Sequence, residues 1–428
     1  MSKRHHVRLG LRRDLGLVDA VGIGLGAVMG AGIFVVTGVA ASVAGPAFLV
    51  GLAVAGIAAT FNGLSSAQLA ANFPQSGGTY EYGYRVVHPT AGFAAGWMFL
   101  ASKLAAAGTV ALGFGHYVAA LVPAAAPVPV AVGAVVVLTA ANLLGIKRAG
   151  AFNLAIVLFT LAALGCFVAG GVPVVREANF QPFAPHGWRG VAESCALLFF
   201  AYTGYARLAT LGEEVREPEK NIPQAIILTL ALSFVIYLSV GLVAVGSVGA
   251  GAMAASHAPL EAAAESFRQP WIAKILAVGG ATAMLGVLLS QILGISRMML
   301  AMARRGDLPG FLNHIMESRG VPARAILLTG GIAATLAMIG TLETIIAAAA
   351  FTILIYYSLT NLAALRLSCG RRLYPPWVAW AGLVTCLAMA ASLQGRVLMI
   401  GIGLLATGFL VRFLLHRLSP PPRSEDGV

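Results

Sequence analysis

Charge is what this chain has least of. Of its 428 residues only 10% are Asp, Glu, Lys or Arg, against about 25% in a soluble globular domain. Hydrophobic residues make up 59% and the mean hydropathy is +0.86. That leaves too little polar surface to face water, which excludes a cytosolic enzyme, and so much oil also excludes intrinsic disorder. Cysteine is scarce as well. Cys166, Cys195, Cys369 and Cys386 stand far apart without a CxxC pair, so neither a disulfide framework nor a zinc site is indicated. The eight histidines have no metal spacing, and His5 and His6 belong to a basic tail. No Gly-Lys phosphate loop and no G-x-S-x-G elbow occurs, so ATP hydrolysis and serine catalysis have no support. Ionisable groups inside the apolar runs are too sparse for an intramembrane enzyme. No catalytic residue, cofactor or metal is therefore expected.

Basic residues outnumber acidic ones, 28 to 16, for a net charge of +12. They fall singly or in pairs between apolar runs, with no aromatic-interleaved patch. This pattern reads as charge that orients membrane spans, not as a nucleic-acid surface.

What is abundant is glycine, 51 residues, and long apolar stretches. A bilayer crossing takes about 20 apolar residues. Twelve candidate spans follow: 15–40, 46–71, 90–122, 128–145, 151–172, 190–214, 225–247, 272–302, 323–341, 343–367, 376–393 and 396–418. With both termini inside, 20 of the Lys and Arg residues fall on the cytoplasmic side and five outside: Arg176, Arg189, Arg268, Lys274 and Arg396. This asymmetry predicts a multi-pass protein of the cytoplasmic membrane with cytoplasmic N- and C-termini. The basic start, Met1 to Arg13, reads as an uncleaved tail. No polar connection is long enough for a separate domain, so 1–428 is expected to be a single membrane domain.

Two spans are poorly built as helices. The first carries Gly22, Gly24, Gly26, Gly30 and Gly32 within eleven residues, each costing a helix about 1 kcal/mol relative to Ala. Gly22, Gly26 and Gly30 also fit a small-xxx-small helix contact, but Gly24 and Gly32 point elsewhere. The sixth is interrupted near Gly204 by Tyr202, Thr203 and Tyr205, with Arg207 beyond. Spans 1 and 6 lie five apart, so each opens a group of five, and an odd number per repeat inverts the second group. Paired weak helices in matching positions point to a transport site. A break frees amide N–H groups that favour a carboxylate and carbonyls that accept an ammonium, the two charges of an α-amino acid.

Three motifs resemble the amino acid–polyamine–organocation (APC) family of amino acid permeases, over essentially the whole chain. They are Gly24-Leu-Gly-Ala-Val-Met-Gly-Ala-Gly-Ile-Phe34, Phe73-Pro-Gln-Ser-Gly-Gly-Thr-Tyr-Glu-Tyr82, and Gly212-Glu-Glu-Val-Arg-Glu-Pro-Glu-Lys-Asn-Ile-Pro-Gln-Ala225. The resemblance implies an all-α membrane protein of twelve transmembrane helices with a leucine-transporter-like fold. Its parts would be one inverted repeat over 15–172, a second over 190–367, and accessory spans over 376–418. It implies a substrate site in which the carboxylate sits on the amides of Gly30, Ala31, Gly32 and Ile33 and the ammonium meets carbonyls near Val28 and Met29. Phe200 would be an aromatic gate, and Tyr202, Thr203 and Gly204 would form the side-chain pocket. The chain departs from the family in two places. Ala31 stands where a Ser or Thr hydroxyl is frequent, and Thr160 aligns where proton-coupled relatives often carry a lysine.

The remaining embedded polar groups are candidates for coupling or gating: Lys103 midway along span 3, Thr160, Arg207, and Asp19, which could pair with Arg207 or Arg297. Glu213, Glu214 and Glu217 read as a solvated helix end, and Gly77 to Arg85 as part of an inner gate. The expected function is secondary active transport of an amino acid by alternating access, with H+ or Na+ as a possible coupling ion. Spans 1, 2, 6 and 7 would rock against 3, 4, 8 and 9. Lys103 and Arg207 disfavour a cationic substrate, so a neutral α-amino acid is expected. The rivals are an exchanger, a polyamine or cationic amine carrier, and a nutrient sensor that binds without transporting.

Overall fold

The computed structural model describes residues 15–73, 77–145, 150–210, 215–316, 319–368 and 372–418. Cys369, Glu213, Glu214, the tail with His5 and His6, and residues 74–76 and 212 of the motifs lie outside the described residues. Those described are helical, with only isolated bridges, Leu15 to Val215 and Met316 to Val321, in place of strands.

In chain order the α-helices are α1 (Leu17–Val28), α2 (Ala31–Phe34), α3 (Val36–Ala44), α4 (Phe48–Asn72), α5 (Gly78–Tyr82), α6 (Pro89–Leu121), α7 (Pro127–Leu143) and α8 (Gly150–Gly171). They continue as α9 (Gly187–Tyr202), α10 (Pro218–Ala255), α11 (Pro259–Glu265), α12 (Pro270–Arg304), α13 (Ala323–Ile339), α14 (Leu342–Leu365), α15 (Pro376–Ser392) and α16 (Gly395–Leu418). Six of them, α6, α7, α10, α11, α12 and α15, open on a proline. Proline suits a first helical position, where its missing N–H has no partner to lose.

Among the described residues eight stretches are long and apolar enough to cross a membrane, and α7, α13 and α15 are shorter apolar helices of 17 residues each. Large apolar side chains such as Ile57, Val235, Met338, Trp377 and Ile402 point outward and are more than half exposed. A water-soluble helix bundle does the reverse; lipid-facing helices expose such groups freely because the tails are as apolar as they are.

The helices sort into two packed groups. The three pieces α1–α3 pack with α4, α9 and α10, while α6, α7, α12 and α13 pack with one another. The groups meet along α1 against α12, and α14 bridges α4, α6 and α15. These are the two sets that the sequence expects to move relative to each other. Helix α10 is interrupted at Gly249, whose φ of 81° only glycine adopts readily. The Gly246 carbonyl freed there accepts from the Arg176 amide (2.8 Å) and the Asn179 side chain (2.7 Å).

Candidate functional site

Both expected interruptions are present. Helix α1 stops at Val28, the chain runs extended through Gly30 (φ −156°, ψ −143°), and α2 adds only four residues before a second interruption at Val35. The amides of Ile33 and Phe34 both turn back to the Gly30 carbonyl, at 3.2 and 3.3 Å. None of the described residues accepts from the amides of Gly30, Ala31 and Gly32. In the second interruption α9 gives way after Tyr202 to a 3-10 helix over 203–210. Thr203 caps α9 there by donating its hydroxyl to the Phe200 carbonyl at 2.9 Å.

Glycine is used reciprocally where the two interruptions meet. A Cβ on Gly32 would lie 2.6 Å from Cα of Ala201, and one on Gly204 would overlap the carbonyl of Ala27 and the amide of Val28. Each break thus rests backbone to backbone on the other, an approach that only a residue without Cβ permits.

Between them lies a small cavity of about 30 Å³, space for one or two waters. Its walls are Ala27, Val28, Gly30, Ala31 and Gly32 from the first break, and Phe200, Ala201, Thr203 and Gly204 from the second. Lys103 and Val110 of α6 and Val287 and Gln291 of α12 complete it. Seven of the ten expected substrate residues are therefore brought together: Val28, Gly30, Ala31, Gly32, Phe200, Thr203 and Gly204. Lys103 joins them. Met29 and Ile33 are buried behind the wall.

Other expectations are redirected. Tyr202 is fully buried and donates to the Leu52 carbonyl at 3.2 Å, away from the cavity. Thr160 donates to Ile156 one turn back on α8, at 2.8 Å. Asp19 accepts from the Gly16 amide at 2.9 Å and caps α1 instead of reaching Arg207 or Arg297. Capping wins because a helix start leaves free N–H groups that attract a nearby carboxylate. Arg207 donates to the Ser290 carbonyl on α12 at 3.4 Å. Glu217 holds a left-handed turn (φ 45°) just ahead of α10.

Three tyrosines missed in the sequence satisfy the carbonyls that the breaks free. Tyr237 donates to Val28 (2.8 Å), with the Ala201 carbonyl at 3.2 Å, and so ties the two breaks together. Tyr117 donates to Phe34 (2.8 Å) and Tyr357 to Thr203 (3.5 Å). The Val28 carbonyl, expected to meet an ammonium, already has this hydroxyl. A tyrosine in an apolar span was the signal: buried, its hydroxyl needs an acceptor, and the breaks supply carbonyls that no helical amide has taken.

Further clusters stand at the two ends of α12. At the end where α6 begins, the Asp307 carboxylate is 1% exposed. It accepts from Tyr80 (2.7 Å) and Tyr84 (2.5 Å) and forms an ion pair with Arg412 of α16 at 3.0 Å. Beside it Glu81 pairs with Arg85 and Arg305 at 2.6 and 2.9 Å. Burial alone would raise the Glu81 carboxyl, but the Arg85 hydrogen bond and the Arg305 charge outweigh it and hold it below the usual range. The segment Gly77 to Arg85 is thus joined to the loop after α12.

At the opposite end α11 packs on α10 and α12, and the rings of His116 and His257 lie 4.5 Å apart. Burial, then the Glu265 charge, push the Glu261 carboxyl of α11 up to about 7. A raised carboxyl favours the packed state at low pH and loses that contribution as pH rises through the folded value. The protection of α11 amides, taken relative to their intrinsic base-catalysed exchange rate, is therefore expected to fall between about pH 4.5 and 7, and Glu261→Gln is expected to flatten that fall. An equal pH response in the variant would assign the effect to other groups.

Comparison with known proteins shows the family. A family model described as amino acid permease matches residues 19–416. An uncharacterized transporter of Mycobacterium tuberculosis is 40% identical over 97% of this chain and 95% of its own. A methylthioribose transporter of Bacillus subtilis is 32% identical over 95% and 94%, and a branched-chain amino acid permease of the same species 31% identical over 76% and 74%. A match that runs from the first turn of α1 into the last turns of α16, and so takes in both breaks, means that this chain belongs to the amino acid permease family.

Proposed function

We propose that the protein is a secondary active transporter of neutral α-amino acids that works by alternating access, with both termini in the cytoplasm. The observation that carries this reading is the pair of interrupted helices resting on each other through Gly32 and Gly204 beside a cavity. Irregular backbone at membrane depth is tolerated only where it is buried or lines a cavity. The amides of Gly30, Ala31 and Gly32 suit a carboxylate, and the carbonyl ends of α1 and α9, whose oxygens keep a second lone pair beside the hydroxyls they already accept, suit an ammonium. Lys103 is a cation in the wall, which opposes a cationic substrate. Twelve spans, ten of them in two inverted groups of five, and a single transport domain over 1–428 accord with matched breaks five spans apart. The cavity is too small for an amino acid, so loading requires the α1–α4–α9–α10 group to move against the α6–α7–α12–α13 group.

Counterflow in proteoliposomes tests this directly. Preloaded neutral amino acid is expected to drive accumulation of the labelled form. Absence of counterflow with every amino acid would overturn the reading, and binding without flux would leave a sensor. Lys103→Ala is expected to flatten the pH dependence of net uptake; an unchanged profile returns that lysine to a structural role and leaves the coupling ion elsewhere.

A further inference from the structure

Two polar groups in the cavity wall have no hydrogen-bond partner among the described residues. Lys103 has no carboxylate and no hydrogen-bond acceptor among the described residues; its nearest feature is the face of Phe99, 5.8 Å from Nζ. The side-chain oxygen of Gln291 is buried without a donor. They stand about one helical turn apart on facing helices. Gly96 of α6 packs against Met302 of α12, and Gly113 against Met284, so the two helices run antiparallel and Lys103 lies near the level of Ile295. At about 1.5 Å per residue Gln291 is then roughly 6 Å farther along, and both side chains border the same cavity. Val110 and Val287 line the cavity farther along the same helices. The wall facing the two breaks is thus apolar in one half and, in the other, offers an ammonium donor beside an amide acceptor.

Resting on the transport reading, we infer that Lys103 and Gln291 select the substrate side chain, and that the side chain they select is a carboxamide. With the α-carboxylate and α-ammonium held by the breaks, the side chain faces α6 and α12. An aliphatic side chain there would bury both groups against hydrocarbon, leaving a donor and an acceptor unmet. A cationic side chain would meet Lys103. A carboxylate would satisfy Lys103 but turn lone pairs toward the Gln291 oxygen. A carboxamide answers both, its oxygen accepting from Lys103 and its NH2 donating to Gln291. Sites that hydrogen-bond a substrate group discriminate strongly against analogues lacking it.

The test is competition for uptake into proteoliposomes holding the full-length protein. Asparagine against leucine, glutamine against methionine, and glutamine against glutamate are matched in size, and lysine is the cationic arm. Asparagine and glutamine are expected to win by about 100-fold over leucine and methionine, and lysine to compete least. Gln291→Leu and Lys103→Met are each expected to cut the asparagine-to-leucine ratio at least tenfold, with leucine uptake rising in absolute terms, a gain that a misfolded variant cannot give. Equal uptake of leucine and asparagine, a preference for glutamate over glutamine, or ratios unmoved by both variants would overturn the inference while leaving transport intact. Wild-type vesicles that move no amino acid would overturn both readings.

Discussion

Gly204→Ala is expected to abolish uptake while the protein remains inserted. The added methyl would overlap the Ala27 carbonyl and the Val28 amide, and these are backbone atoms that cannot rotate aside. The first break must then move off the second, which pulls apart both walls of the cavity. Gly32→Leu should act the same way from the other side, because even a Cβ there comes within 2.7 Å of both Cα and Cβ of Ala201. Contacts below about 3 Å force a shift, and overpacking a close-packed interior typically costs 1–3 kcal/mol. Stability therefore falls modestly, but the misplaced site loses most of its rate, since a displacement of about 1 Å can cost 100-fold. Uptake normalised to the amount of inserted protein measures it. Near wild-type rates in both variants would remove the apposed breaks from the mechanism.

Asp307→Ala is expected to have the largest effect on stability. Its carboxylate is buried and faces two tyrosine hydroxyls and the Arg412 guanidinium. Removing one partner of a buried ion pair costs about 3–5 kcal/mol, because the other charge remains. The lower end of that range applies here. Arg412 keeps a hydrogen bond to the Tyr84 hydroxyl at 3.0 Å and packs over Phe93. A clear fall in the melting temperature in detergent is expected, together with faster proteolysis in the loop after α12. Asp307→Asn, which keeps an acceptor for the tyrosines, should lose less. Equal losses in the two variants would assign the stability to the ion pair alone and not to the tyrosine bonds.

Much of the fold was legible beforehand because a bilayer leaves few solutions. Apolar runs of bilayer length must be helices, since backbone groups in lipid have to be satisfied within the segment. Where the helices fail was legible as well. Glycine clusters cost helix stability at Gly30 and Gly32 whatever surrounds them, and the polar-aromatic run at Tyr202 to Tyr205 is out of place in an apolar span. For the same reason backbone-defined residues such as Gly30, Gly32 and Gly204 lie in the breaks and line the cavity between them. Where a side chain points is a different matter. Tyr202 and Thr160 lie on expected helices but face Leu52 and Ile156, and Asp19 turns back onto its own helix start.

By itself, then, the sequence determined that this chain lives in a membrane, where its helices run and where two of them break. Those are local matters of transfer energy and backbone propensity. Only the tertiary structure decided which partners the breaks meet: Tyr237 on the carbonyls of Val28 and Ala201, Asp307 under Arg412, Gln291 in one cavity wall with Lys103. Such pairs join residues tens to hundreds of positions apart. Their geometry follows from how helices rotate and settle against each other, and no periodicity along a single chain records that rotation.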